Sequence, residues 1–158
     1  MPRSATPSRS EHALPSSGYH SLGQEAAIGV LRSADAVRRH FTHVLEPWGI
    51  TLQQFNVLRI LRGAGPEGLP TLTVAERMIE HTPGITRLLD RLEKQGWVKR
   101  QRCSEDRRRV WARITPAGLD LLSELDEPVA RADDDAVAAL SDTQKRQLIR
   151  ISRKLAND

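Results

Sequence analysis

Residues 82–98 read Thr-Pro-Gly-Ile-Thr-Arg-Leu-Leu-Asp-Arg-Leu-Glu-Lys-Gln-Gly-Trp-Val, and their spacing decides the fold. Ile85, Leu88, Leu89 and Leu92 recur at i, i+3, i+4 and i+7, a narrow apolar stripe along one side of a helix. The other side offers Thr82, Gly84, Thr86, Arg87, Asp90, Arg91 and Lys94 to the outside. Thr82 is a good N-cap, and Pro83 suits the first helical position, where a missing N–H costs nothing. Gly96 supplies the stop. The pattern predicts a helix from Pro83 to about Gln95.

Reading upstream, Thr73-Val74-Ala75-Glu76 is a capping box that predicts a short helix running to about Glu80. Gly63 to Pro70 is rich in Gly and Pro and reads as a loop. Thr51-Leu52-Gln53-Gln54 is a second box, opening a helix whose stripe is Leu52, Phe55, Leu58 and Leu61. Before it, Leu22 to about Glu46 carries Ala27, Val30, Leu31, Ala34, Val37, Phe41, Val44 and Leu45 at helical spacing, ended by Pro47-Trp48-Gly49. Reading downstream, Val98–Arg102 and Val110–Ile114 have strand character and are joined by the polar, Arg-rich link Cys103–Arg109, which predicts a hairpin with a basic tip. Thr115-Pro116 then opens a long helix in which Pro128 should introduce a kink. Ser141-Asp142-Thr143-Gln144 opens a last helix carrying Leu148, Ile151 and Leu155. The fold class is therefore mainly α with a small antiparallel β-wing. A short helix, a turn and a second helix with a polar outer face form a helix-turn-helix, whose second helix is of a size to enter a DNA major groove.

Charge supports that reading. Residues 81–114 hold ten basic and four acidic residues, a net +6, whereas the rest of the chain holds 14 basic and 16 acidic ones. All of the positive excess lies in the stretch that contains the helix and the hairpin, as expected of a surface for a polyanion. The helix N-terminus adds free N–H groups toward a phosphate. Arg87 lies one turn in, within reach of a guanine edge. The hairpin tip, with Arg107, Arg108 and Arg109, suits a minor groove.

These stretches resemble the MarR family of winged-helix regulators over residues 50–122. The resemblance is carried by Val74-Ala75-Glu76-Arg77-Met78, by Pro83 through Val98, by Asp106-Arg107-Arg108, and by Ile114-Thr115-Pro116-Ala117-Gly118, in that order and at family spacing. It implies a homodimer that binds double-stranded DNA at a palindromic operator, a repressor by family default, with release by a small-molecule effector. It implies that Arg108 reaches the minor groove and that Asp106 holds a wing arginine. It implies that Thr82, Pro83, Gly84, Thr86 and Arg87 form the exposed start of the recognition helix. Arg91, Arg100, Arg107 and Arg109 complete the expected DNA-binding set. The expected organisation is a flexible tail with no targeting function over 1–20, a dimerisation helix over 21–49, a DNA-binding lobe over 50–114, and dimerisation helices over 115–158. Ile79-Glu80 stands where the family often has a glycine and an apolar residue. That departure predicts a longer preceding helix or a turn of different geometry.

His40, His43, Trp48 and Phe55 are candidate walls of an effector pocket, although Trp48 and Phe55 equally suit a core. Arg38 and Arg39 suit an anionic ligand or a charged surface. Cys103, the single cysteine, sits among arginines that would favour a thiolate, so a thiol-sensing regulator is one alternative and an incidental thiol another. His20, His40 and His43 lack the companions of a metal site, and Asp133-Asp134-Asp135 reads as a solvated face. No cofactor is implied. No nucleophile–base pair or phosphate loop points to an enzyme. A winged-helix module that binds protein is the second alternative. No apolar run approaches a membrane span, so the expected location is the cytoplasm.

Overall fold

The computed structural model describes residues 18–80, 82–102 and 110–156. The chain divides into two units, Met1–Val37 and Arg38–Asp158, and helix α1 (Leu22–Leu45) contributes to both. In the first unit the Gln24 amide donates to Ser21 Oγ at 3.0 Å while the His20 amide donates to Gln24 Oε1 at 2.7 Å. Arg32 Nη1 donates to the Tyr19 hydroxyl at 3.1 Å. Tyr19 and His20, expected within the tail, are thus bonded to α1.

In the second unit the remaining elements follow in order: α2 (Leu52–Ala64), β1 (Leu69–Pro70), α3 (Thr71–Glu76), α4 (Ile85–Lys94), β2 (Val98–Arg102), β3 (Val110–Ile114), α5 (Pro116–Ala136) and α6 (Asp142–Ala156). The Thr51 box caps α2 as its sequence predicts. The Gln54 amide donates to Thr51 Oγ1 at 3.2 Å and the Thr51 amide to Gln54 Oε1 at 3.0 Å. Ser141 and Gln144 repeat that exchange before α6. The three strands form one antiparallel sheet in the order β1-β3-β2. In the hairpin Val98 pairs with Ile114, Arg100 with Ala112 and Arg102 with Val110. Strand β1 falls within the stretch 63–70, whose composition reads as a loop. It is two residues long and includes a proline, so it has no period of its own, and β3 holds it by pairing Leu69 with Ala112.

The core is mostly aliphatic, in keeping with an aromatic content of 4%. Leu58 and Leu61 of α2, Leu88, Leu89 and Leu92 of α4, Val98 and Ala112 of the sheet, and Leu122, Leu125 and Val129 of α5 are buried in one cluster. Each buried large aliphatic side chain contributes roughly 1.5–3 kcal/mol relative to exposure. Helix α5 begins at Thr115, whose Oγ1 accepts from the Gly118 amide at 3.1 Å, with Pro116 in the first turn. It runs continuously through Pro128.

Two helix boundaries differ from expectation. Helix α3 starts at Thr71 and stops at Glu76, and Thr73 does not cap it. Pairing at Pro70 delivers the chain directly into the helix, and the Thr71 hydroxyl donates to the Val110 carbonyl at 3.0 Å. At the other end the Ile79 amide bonds Asn56 Oδ1 at 3.0 Å instead of continuing the helix. The Ile79-Glu80 departure therefore gives a different turn, not a longer helix. Helix α4 starts at Ile85, two residues late. Thr82 does not cap it, because its hydroxyl donates to the Glu80 carbonyl at 2.9 Å.

Apolar stripes on the two helices expected to dimerise are exposed. Leu31 of α1 is 70% exposed and Leu155 of α6 is 61% exposed, with Val30, Leu148 and Ile151 also open. Their periodicity is real, but among the described residues nothing covers them.

Candidate nucleic-acid interface

Helix α4 is amphipathic in the way its sequence demands. Ile85, Leu88, Leu89 and Leu92 are buried while Thr86, Arg87, Arg91 and Lys94 are exposed. Its C-terminus is locked by a Schellman motif: the Trp97 amide donates to the Leu92 carbonyl and the Gly96 amide to the Glu93 carbonyl, both at 3.0 Å. Gly96 takes a φ of +77°, which a side chain would disfavour. Thr115 Oγ1 donates to the Gly96 carbonyl at 2.6 Å, and the Thr115 amide donates to the Trp97 carbonyl at 3.0 Å. The start of α5 is thereby bonded to the end of α4. Buried Gln54 adds a third tie, donating to Gln95 Oε1 at 3.1 Å.

The N-terminus of α4 is open by contrast. Gly84 is its N-cap and provides no side-chain bond. Its first-turn N–H groups keep the partial positive charge that attracts an anion. Thr82 is half-buried, whereas Pro83, Gly84, Thr86 and Arg87 are exposed around this end. Arg87 has no hydrogen-bond or ion-pair partner among the described residues.

Arg100 is differently placed. It projects from β2 onto α4, where its amide donates to Glu93 Oε1 at 2.9 Å. Its Nε and Nη2 donate to Glu93 Oε2 at 3.0 and 2.8 Å, and Nη2 also reaches Asp90 Oδ1 at 2.5 Å. The hydrogen bonds from Arg100 hold the Glu93 carboxyl below its ordinary value of 4.5. Burial disfavours the Arg100 cation, but the bonds to Glu93 and Asp90 outweigh burial and raise its pKa. Arg113 on β3 is committed too, donating to the Glu67 carbonyl at 2.9 Å and to Gln101 Oε1 at 3.1 Å. Cys103, Asp106, Arg107, Arg108 and Arg109 lie outside the described residues.

The four residues expected to wall an effector pocket differ in burial and partners. Phe55 is buried in the core, with the Arg59 guanidinium 5.8 Å from its ring centre. Trp48 is half-buried and donates to Glu124 Oε2 at 3.3 Å. His43 is exposed, 3.6 Å from Glu46. His40 has its Nε2 buried with no partner among the described residues. A cavity of about 270 Å³ opens elsewhere, lined by Arg38 and Thr42 of α1, Asn56 of α2, Glu80 of the turn, and Leu88 and Arg91 of α4. Of the pair Arg38 and Arg39, which suit an anionic ligand or a charged surface, Arg38 lines this cavity, whereas Asn56 and Glu80 carry no sequence pattern that points to it. A second groove of about 550 Å³ lies between Thr71 and Thr73 of α3, Thr86 of α4 and Arg100. Among the described residues no cluster of three or more His, Cys, Asp or Glu is arranged to hold a metal, and no helix is long and apolar enough to cross a membrane.

Comparison with known proteins adds to this geometry. The model of the MarR family matches residues 50–110. The HTH-type transcriptional regulator FarR of Neisseria gonorrhoeae is 34% identical over 102 residues, covering 65% of this chain and 68% of that protein. The crystal structure of a MarR transcription factor from Planctomyces limnophilus is 38% identical with a TM-score of 0.68, covering 85% of this chain and 98% of the other. Sco3205 of Streptomyces coelicolor, a MarR family regulator solved in complex with DNA, is 23% identical with a TM-score of 0.78 and covers 87% of this chain and 88% of its own, a likeness of fold.

Proposed function

Because the chain belongs to the MarR family and so is a DNA-binding transcription regulator, we propose that it works as a homodimeric repressor that reads a palindromic operator and is released by a small effector. The observation that carries this reading is α4 itself. A buried apolar stripe backs a face of exposed Thr86, Arg87 and Arg91, with an uncapped N-terminus ready for a phosphate. In this reading α4 enters the major groove, Arg87 reads a base edge, Thr82, Pro83, Gly84, Thr86 and Arg91 meet backbone or bases beside it, and the wing arginines Arg107, Arg108 and Arg109 follow the adjacent minor groove, with Asp106 orienting Arg108. The open stripes of α1 and α6 support a dimer, since large apolar faces seek a partner. Two-fold symmetry then makes the operator a palindrome with half-sites about 10 base pairs apart.

The effector site is the cavity at Arg38, Asn56, Glu80 and Arg91. Glu80 already holds Arg38 there, so Arg91 is the guanidinium that favours a small anion, and contact with Leu88 and Arg91 bears on α4 directly. Binding there releases DNA if the effector prefers a state in which the two recognition helices no longer match the half-sites. The test is sedimentation with footprinting. A dimer at micromolar concentration that protects two symmetric half-sites supports the reading; a monomer that protects a single site overturns it.

A further inference from the structure

We infer that Arg100 is a positioning residue for DNA recognition: it fixes the angle between α4 and the wing and neutralises the acids of α4, without itself touching DNA. The inference rests on the reading of α4 as the recognition helix. Strand β2 lies at the edge of the sheet, so the outward amide of Arg100 has no strand to pair with. Glu93 takes that role: Oε1 accepts the amide and Oε2 accepts the guanidinium. With Asp90 as a further acceptor, one strand residue makes four hydrogen bonds to two consecutive turns of α4. Only 22% of the Arg100 side chain is exposed. A guanidinium held by two carboxylates in charge-assisted bonds has little left to offer a phosphate.

The position of the clamp gives it leverage. Arg102, the last residue of β2, is two residues along, and the wing link departs from there. Holding Arg100 against α4 therefore sets where strands β2 and β3 lie relative to the recognition helix. The clamp also acts along α4. Asp90 is three residues beyond Arg87 and adjacent to Arg91. Without Arg100, Asp90 would draw the Arg87 guanidinium across the helix surface and turn negative charge toward the phosphates. Arg100 thus keeps Arg87 available.

The test uses full-length Arg100→Lys and Glu93→Gln dimers. Lysine keeps the charge but cannot reproduce the fork, and glutamine removes one acid. A duplex enriched by the wild type from a random pool and a scrambled duplex serve as probes. Both variants should lose at least about tenfold in the ratio of enriched to scrambled affinity, although their charges change differently. Amide exchange at Arg100 and through α4 in the DNA-free protein should quicken in both. An unchanged ratio with unchanged exchange overturns the clamp. So does a Glu93→Gln protein that binds the enriched duplex more tightly, which would mark a freed Arg100 as a direct contact. Failure of the wild type to enrich any duplex strikes instead at the reading of α4, and is distinct from variants that fail where the wild type succeeds.

Discussion

Arg38 Nε donates to Glu80 Oε1 at 2.6 Å, joining α1 to the turn that leads into α4. The pair is 47% and 37% exposed, so as a surface ion pair it contributes at most about 1 kcal/mol to stability. Its value is positional. Glu80→Gln should leave the thermal midpoint nearly unchanged while lowering operator affinity several-fold, because the turn before α4 loses a tether. Melting curves beside DNA titrations check this. A large fall in stability, or no change in affinity, would contradict it.

Leu88 is 6% exposed on the inner stripe of α4. Leu88→Ala should destabilise the fold by about 2–5 kcal/mol through lost burial and the cavity left behind. Urea unfolding of the full chain measures it.

Gly118 has no room for a side chain. A Cβ there would lie 2.5 Å from the Trp97 carbonyl oxygen, the same oxygen that accepts from Thr115. Backbone atoms must move to make way, so Gly118→Ala should cost about 1–3 kcal/mol as an overpacked substitution. Amide exchange should rise around Gly96 and Trp97, where α4 and α5 are joined.

Arg87 is exposed near the start of α4. Arg87→Ala should cost about 1–3 kcal/mol in binding to the operator and much less on random DNA. Equal losses on both would count against base reading and leave Arg87 as a phosphate contact.

Glu93 titrates below its ordinary value because Arg100 bonds to the ionised form. A depressed carboxylate contributes stability that is present above its unfolded pKa and is lost as pH falls through the lower folded one. The clamp should therefore hold near neutrality and weaken only below about pH 4.5. Glu93→Gln should flatten that acid limb of the stability profile, which pH-dependent unfolding reads directly.

The parts of the fold governed by local chemistry were legible in the sequence. The stripe of α4, the Gly96 stop, the Thr51 and Ser141 boxes, the Thr115-Pro116 start of α5 and both hairpin strands follow from residues within a few positions of one another. What was not legible depends on distant partners. Strand β1 exists because β3 pairs with it, and α3 begins at Thr71 because that pairing ends at Pro70. Thr82 looks like a cap, yet its hydroxyl prefers the Glu80 carbonyl. Arg100 reads as one more wing cation until Asp90 and Glu93 are seen beneath it. The cavity at Arg38 and Arg91 combines four separate segments, so no single stretch announces it.

The most direct test of the central claim is selection from a random duplex pool by the purified protein, followed by titration of the enriched sequence at two salt concentrations. The account predicts a two-fold symmetric sequence bound at least about 10³-fold more tightly than random DNA, with affinity falling steeply as salt rises. Binding that enriches no sequence, or that ignores salt, would contradict it.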